Sequence, residues 1–163
     1  MVWMIVFINC CWFLGGSVCL EETIIRTMPF NPQSNLFVSN WNGKITINSW
    51  YRNAIGIEAT KRVRGYPKEE TKKILEEIKI NLSEDGKGIK IETDIPKTRM
   101  GDIGVNYNIL IPIEANLVVE SKNGGIRIKD IIGDIKAETK NGELTFFNIQ
   151  GNIEAETKNS LRE

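Results

Sequence analysis

The residues best suited to chemistry in this chain are three acids, Asp130, Asp134 and Glu143. Clustered carboxylates with a basic neighbour, often holding Ca²⁺, are what a polysaccharide-cleaving site on a β-helix needs. These three fall on corners of different sequence units, and Asp134 becomes Asn152 one unit later. That spacing argues against one shared site. Histidine is absent from the 163 residues, so there is no histidine base, triad or metal ligand. The three cysteines, Cys10, Cys11 and Cys19, all lie in the first twenty residues, which leaves no disulfide framework or thiolate site beyond them. Phosphate loops, zinc spacings and nucleophile elbows are missing too. The expectation is a protein that is not an enzyme and needs no cofactor or metal. The net charge of zero argues against a nucleic-acid partner.

What the chain does carry is repetition. Val119-Glu120-Ser121-Lys122-Asn123-Gly124 recurs as Ala137-Glu138-Thr139-Lys140-Asn141-Gly142 and again as Ala155-Glu156-Thr157-Lys158-Asn159-Ser160, with an 18-residue period. Within a unit, apolar residues alternate with polar ones, which marks strands with one buried face. The alternation changes phase at each Asn-Gly, where a tight corner is needed. A unit of this length cannot bury its own apolar face, so the units must stack. Stacking places Leu117 over Ile135 over Ile153 and Ile126 over Leu144, and these five form the expected coil core. Burying each aliphatic side chain is worth about 1.5–3 kcal/mol before ordering entropy is charged against it.

Asn123, Asn141 and Asn159 share the inward parity. Either they form a ladder of amide hydrogen bonds, or asparagine simply tolerates a left-handed turn before glycine. Glu120, Glu138 and Glu156 with Lys122, Lys140 and Lys158 read as a solvated outer face with lateral pairing.

Upstream, Asn42-Gly43-Lys44-Ile45-Thr46-Ile47 echoes Asn141-Gly142-Glu143-Leu144-Thr145-Phe146 and opens the folded part near Leu36. Trp41 and Trp50 read as caps on the coil end. Lys61-Arg62-Arg64 reads as a solvated loop. Pro67 followed by Glu69-Glu70 starts a short helix reaching about Glu77, with Ile74, Leu75 and Ile78 on one face. Two alternating runs, 78–82 and 89–93, flank Asp85-Gly86-Lys87-Gly88 and form an antiparallel hairpin. Val105 to Ile111 alternates as a strand that ends at Pro112.

Residues 1–20 carry no charged side chain and are followed at once by Glu21 and Glu22. This suits a secretory signal or a membrane anchor, with Ser17-Val18-Cys19 as a small-x-small cleavage site. Val18 before Cys19 departs from the lipoprotein pattern. Residues 21–35, with Pro29 and Pro32, read as a linker.

The order of these parts resembles the DUF4097 family of adhesin-like bacterial proteins, related to the head domain of auto-transporter adhesin-like proteins. An Asn-Gly-x-Ile-x-Ile turn comes first, then a helix and a hairpin. A strand ending in Ile111-Pro112 follows, and then coils with Gly133-Asp134-Ile135 and Gly151-Asn152-Ile153 corners. The likeness spans Leu36 to Ser160. It implies a β-helix-like fold, export and a role at the cell envelope or surface, with no catalytic residues to carry over. The expected fold is therefore mainly all-β, a parallel β-helix or solenoid of ~18-residue coils with one antiparallel hairpin and one short helix. Its domains are 1–20 (signal or anchor), 21–35 (linker) and 36–163 (adhesin-like solenoid). The expected partner lies at the envelope or surface, and membrane contact is confined to residues 1–20. The last repeat ends directly after a corner with no capping element, which leaves an open coil end suited to self-association.

Overall fold

The computed structural model of the chain describes residues 18–96 and 102–159 in full and the backbone of residues 7–12. The repeats form five short strands, each ended by a corner: β9 (Asn116–Asn123), β10 (Ile126–Ile132), β11 (Ile135–Asn141), β12 (Leu144–Gln150) and β13 (Ile153–Thr157). They pair in parallel at the repeat period. Ile135 lies beside Leu117 on β9 and beside Ile153 on β13, while Ile126 and Ile131 on β10 lie beside Leu144 and Ile149 on β12.

The upstream echo occupies the next level of the same stack. In β3 (Asn35–Asn42), Leu36 pairs with Leu117 and Asn42 with Asn123; in β4 (Ile45–Trp50), Ile45 pairs with Ile126 and Ile47 with Ile128. Beyond this level lie β7 (Gly88–Asp94), parallel to β3, and β8 (Asp102–Pro112), parallel to β4. Chain order and stacking order thus differ: β7 and β8 lie on the far side of β3 and β4 from the repeats.

The remaining strands add antiparallel pairs. β5 (Ala54–Tyr66) pairs with β8, β2 (Val18–Pro29) with β5, and β1 (Phe7–Trp12) with β2; β6 (Lys79–Asp85) pairs with β7. The result is all-β apart from one helix: a seven-stranded sheet β1-β2-β5-β8-β4-β10-β12 and a six-stranded sheet β13-β11-β9-β3-β7-β6. Both sheets are mixed and open. The antiparallel part is therefore larger than the one hairpin expected.

Two expected irregular stretches are strands. Residues 21–29, read as linker, belong to β2, and Lys61-Arg62-Arg64, read as a solvated loop, belongs to β5. The cause is one inward-facing ion pair. Glu22 and Lys61 lie opposite one another and meet at 3.0 Å, with Lys61 buried. Each charge sits where its strand would otherwise show an apolar residue, so both alternations look broken in sequence although they are continuous in space. Residues 7–12 of the apolar N-terminal stretch form the edge strand β1, and Val18, Cys19 and Leu20 are buried in β2.

Helix α1 (Lys68–Glu77) follows Pro67, carries Glu69 and Glu70 in its first turn, and buries Thr71, Ile74 and Leu75. Acidic residues there face the positive end of the helix dipole. In the β6–β7 turn, Asp85 Oδ1 accepts from the backbone amides of Lys87 (2.8 Å) and Gly88 (3.1 Å). The core is one continuous cluster fed by both sheets, with Leu36, Ile45, Ile47, Ile109, Leu117, Ile126 and Ile128 fully buried.

Candidate interaction surface at the repeat end

Each corner of the stack is held by polar side chains that answer one another 18 residues apart. Asn141 Nδ2 donates to Asn123 Oδ1 at 2.7 Å, and Asn159 Nδ2 donates to Asn141 Oδ1 at 3.0 Å. The column lies at the surface, with Asn141 and Asn159 exposed; Asn123 and Asn141 are the last residues of their strands, at the rim of the core. The inward parity does not extend to these side chains.

Two further columns escaped sequence reasoning. Asn148 Nδ2 donates to Asp130 Oδ1 at 2.7 Å, and both residues hold left-handed backbone, with φ of 52° and 58°. Asn116 Oδ1 accepts from the Asp134 amide at 3.0 Å, and Asp134 Oδ1 accepts from Asn152 Nδ2 at 3.0 Å. The available signal was an Asp or Asn at every 18th position. Two of the three acids that could have done chemistry thus accept hydrogen bonds from the residue 18 positions further on, and Glu143 Oε1 accepts from Thr145 at 3.3 Å.

Glycine at these corners answers to contact as well as conformation. Gly124 has φ of 151°, and a Cβ there would stand 2.0 Å from the carbonyl oxygen of Gly43. Just before the corner, Thr139 Oγ1 donates to the Gly124 carbonyl at 3.1 Å and Thr157 Oγ1 to that of Gly142 at 3.3 Å. Corner carbonyls, which strand pairing leaves over, thereby gain partners.

The outer charges also pair between levels. Lys136 meets Glu154 at 3.1 Å, and Lys158 donates to Glu138, whose carboxylate pushes the lysine pKa up. Trp41 lies on the outer face of the six-stranded sheet with Lys122 Nζ 3.4 Å from its ring centroid, and Trp50 lies against Gly56. Neither closes the coil end.

That end is formed by the edge strands β12 and β13. Burial falls off along the expected core column. Leu117 and Ile135 are buried, whereas Ile153 is 44% exposed. Ala155 is exposed, and Leu144, Phe146 and Ile149 are partly covered. Leu117, Ile126 and Ile135 are therefore core residues, Leu144 packs half-buried against that core, and Ile153 is exposed. Among the described residues, no strand pairs with the outer edge of β12 or β13.

No family model matches the chain, and no curated protein does. Among solved structures, a "putative cell adhesion protein" from Clostridium sporogenes aligns with a TM-score of 0.41 and 10% identity, over 85% of this chain and 100% of its own. A "putative adhesin" from Bacteroides fragilis aligns with a TM-score of 0.32 and 8% identity, over 82% of this chain and 97% of its own.

Proposed function

We propose that this protein is a non-catalytic, exported body of the cell envelope or surface. It is an adhesin-like β-solenoid of the DUF4097 kind, with residues 1–20 directing export or anchoring. The observation that carries the reading is the parallel 18-residue register, in which Ile135 sits between Leu117 and Ile153. Such stacking builds a stiff, extended surface whose corner side chains are committed to structure. Among the described residues no helix is long and apolar enough to cross a membrane. Cleavage after Cys19 would remove β1 together with Val18 and Cys19 and leave the rest of β2 paired with β5. Fractionation of cells making the full chain, or a chain lacking residues 1–20, tests this. The full chain is expected in the envelope or at the surface and the shortened one in the cytoplasm. A full chain that stays in the cytoplasm refutes export.

A second reading, self-assembly through the repeat end, is favoured by the exposed Ile153 and Ala155 on β13. Unpaired parallel edges with apolar side chains recruit further strands. Light scattering should register concentration-dependent assembly that Ile153→Lys abolishes. A strictly monomeric protein at high concentration refutes it.

A further inference from the structure

We infer that the outer face of the seven-stranded sheet binds a linear, acid-bearing oligosaccharide laid across its strands. Five side chains form a row on five consecutive strands: Glu58, Asn108, Thr46, Arg127 and Thr145, each paired by register with the next. At about 4.8 Å per strand the row is about 19 Å long. That step is close to the rise of one sugar in an extended chain.

The row is open, and four of its five side chains are uncommitted; the fifth, Thr145, donates to Glu143 Oε1 at 3.3 Å. A depression of ≈ 460 Å³ lies over Thr46, Glu58 and Asn108, a second of ≈ 130 Å³ over Arg127 and Thr145, and Lys44 borders both. Among the described residues, Glu58, Asn108, Thr46 and Arg127 make no side-chain hydrogen bond or ion pair. The outer face of the other sheet differs. There Lys90 pairs with Glu92 at 2.9 Å, Lys136 with Glu154, and Lys122 covers Trp41. The seven-stranded sheet has such pairs too, Arg62 with Asp102 at 3.1 Å and Lys129 beside Phe147, but they lie outside this row.

The chemistry of the row selects the ligand. A carboxylate accepts hydroxyl protons, and an amide beside it both donates and accepts, which together match sugar hydroxyls. Arg127 offers a planar fork to a sugar carboxylate. Phe147, 62% exposed in the next row, supplies an apolar platform for a ring face. A peptide strand is disfavoured because β8, β4 and β10 already have neighbours on both sides, so no backbone edge is free at the centre of the row.

The inference rests on the reading of the protein as an adhesive surface body, and it can fail separately. Amide chemical shifts of the full chain are followed on titration with oligogalacturonate, a neutral cello-oligosaccharide and polyglutamate. Oligogalacturonate is expected to move the signals of residues 46, 108 and 127. Arg127→Ala should weaken it about tenfold, the loss of one charge-assisted hydrogen bond. Asn108→Ala with Thr46→Ala should weaken it further, and Lys136→Ala on the other sheet should change nothing. No response to oligogalacturonate overturns the inference. So does cello-oligosaccharide binding as tightly, or polyglutamate binding equally, since the first removes the acid and the second the sugar. Failure of a surface-exported protein to bind sinks this inference alone. Binding by a protein that stays in the cytoplasm sinks only the export reading.

Discussion

Replacing Gly124 with alanine sets a methyl carbon 2.0 Å from the carbonyl oxygen of Gly43 on the neighbouring level. Carbon and oxygen settle at about 3.3 Å, so the two levels must part locally by more than about 1 Å. The backbone bonds that close this corner are Gly43 N–H to the Asn123 carbonyl and Gly124 N–H to the Asn141 carbonyl, each 2.9 Å. Stretching both costs about 1 kcal/mol apiece, and a side chain in the left-handed region adds about 1–2 kcal/mol. With residual overlap, the loss should total roughly 3–5 kcal/mol. Gly125 is the internal control. A Cβ there meets only the Glu143 carbonyl at 3.4 Å, an ordinary contact. Gly125→Ala should therefore stay within about 1 kcal/mol of the parent. Urea unfolding of the two variants and the parent, analysed with shared slopes, measures the difference. Equal losses, or a Gly124→Ala loss under about 1 kcal/mol, would refute the idea that backbone contact between levels makes this corner glycine.

Further outcomes follow from burial and charge. Ile135→Ala opens a cavity between two occupied levels and should cost about 2–5 kcal/mol, whereas Ile153→Ala on the uncovered edge should cost less than about 1 kcal/mol, both read by thermal or urea unfolding. Lys61→Met leaves Glu22 facing inward without its partner at 3.0 Å. Because the Glu22 side chain keeps partial solvent access, the loss should be about 1–3 kcal/mol and should shrink when Glu22→Gln is added, as a double-mutant cycle would report. Burial pushes the Tyr107 hydroxyl up to about 12, against a smaller opposing effect of its hydrogen bond with Thr93. The folded chain keeps this proton while the unfolded chain gives it up near pH 10. Stability should therefore fall as pH rises from 10 to 12, by about 2–3 kcal/mol in all, and Tyr107→Phe should remove that part of the slope in alkaline unfolding curves.

The elements legible in the sequence are those in which local pattern and final environment agree. Helix α1 shows its proline start, acidic first turn and apolar face at 74, 75 and 78, and the β6–β7 hairpin shows its Asp-Gly turn between alternating runs. The repeats were legible because each position meets its own kind on the next level. Reading failed where a residue's partner is remote in the chain. Glu22 and Lys61 each look like an interruption of a strand, and only their pairing across β2 and β5 makes both strands continuous. The Asp130–Asn148 and Asn116–Asp134–Asn152 columns were hidden because attention to Asn-Gly singled out one corner, whereas every corner has its own polar column. The stacking order was hidden too. The echo at Asn42-Gly43 fits any repeat, and only the fold places it beside Asn123-Gly124 with β7 and β8 beyond it. Exposure of Ile153 could not be read from parity, since parity gives the face of a strand and not whether another level covers it.

The register itself is open to direct measurement by methyl–methyl NOE spectroscopy on protein labelled at isoleucine and leucine. Cross-peaks joining Leu117 to Ile135, Ile135 to Ile153 and Ile126 to Leu144 are the predicted result. Strong Ile135 contacts elsewhere, with those three pairs silent, would contradict the 18-residue stacking from which the function is argued.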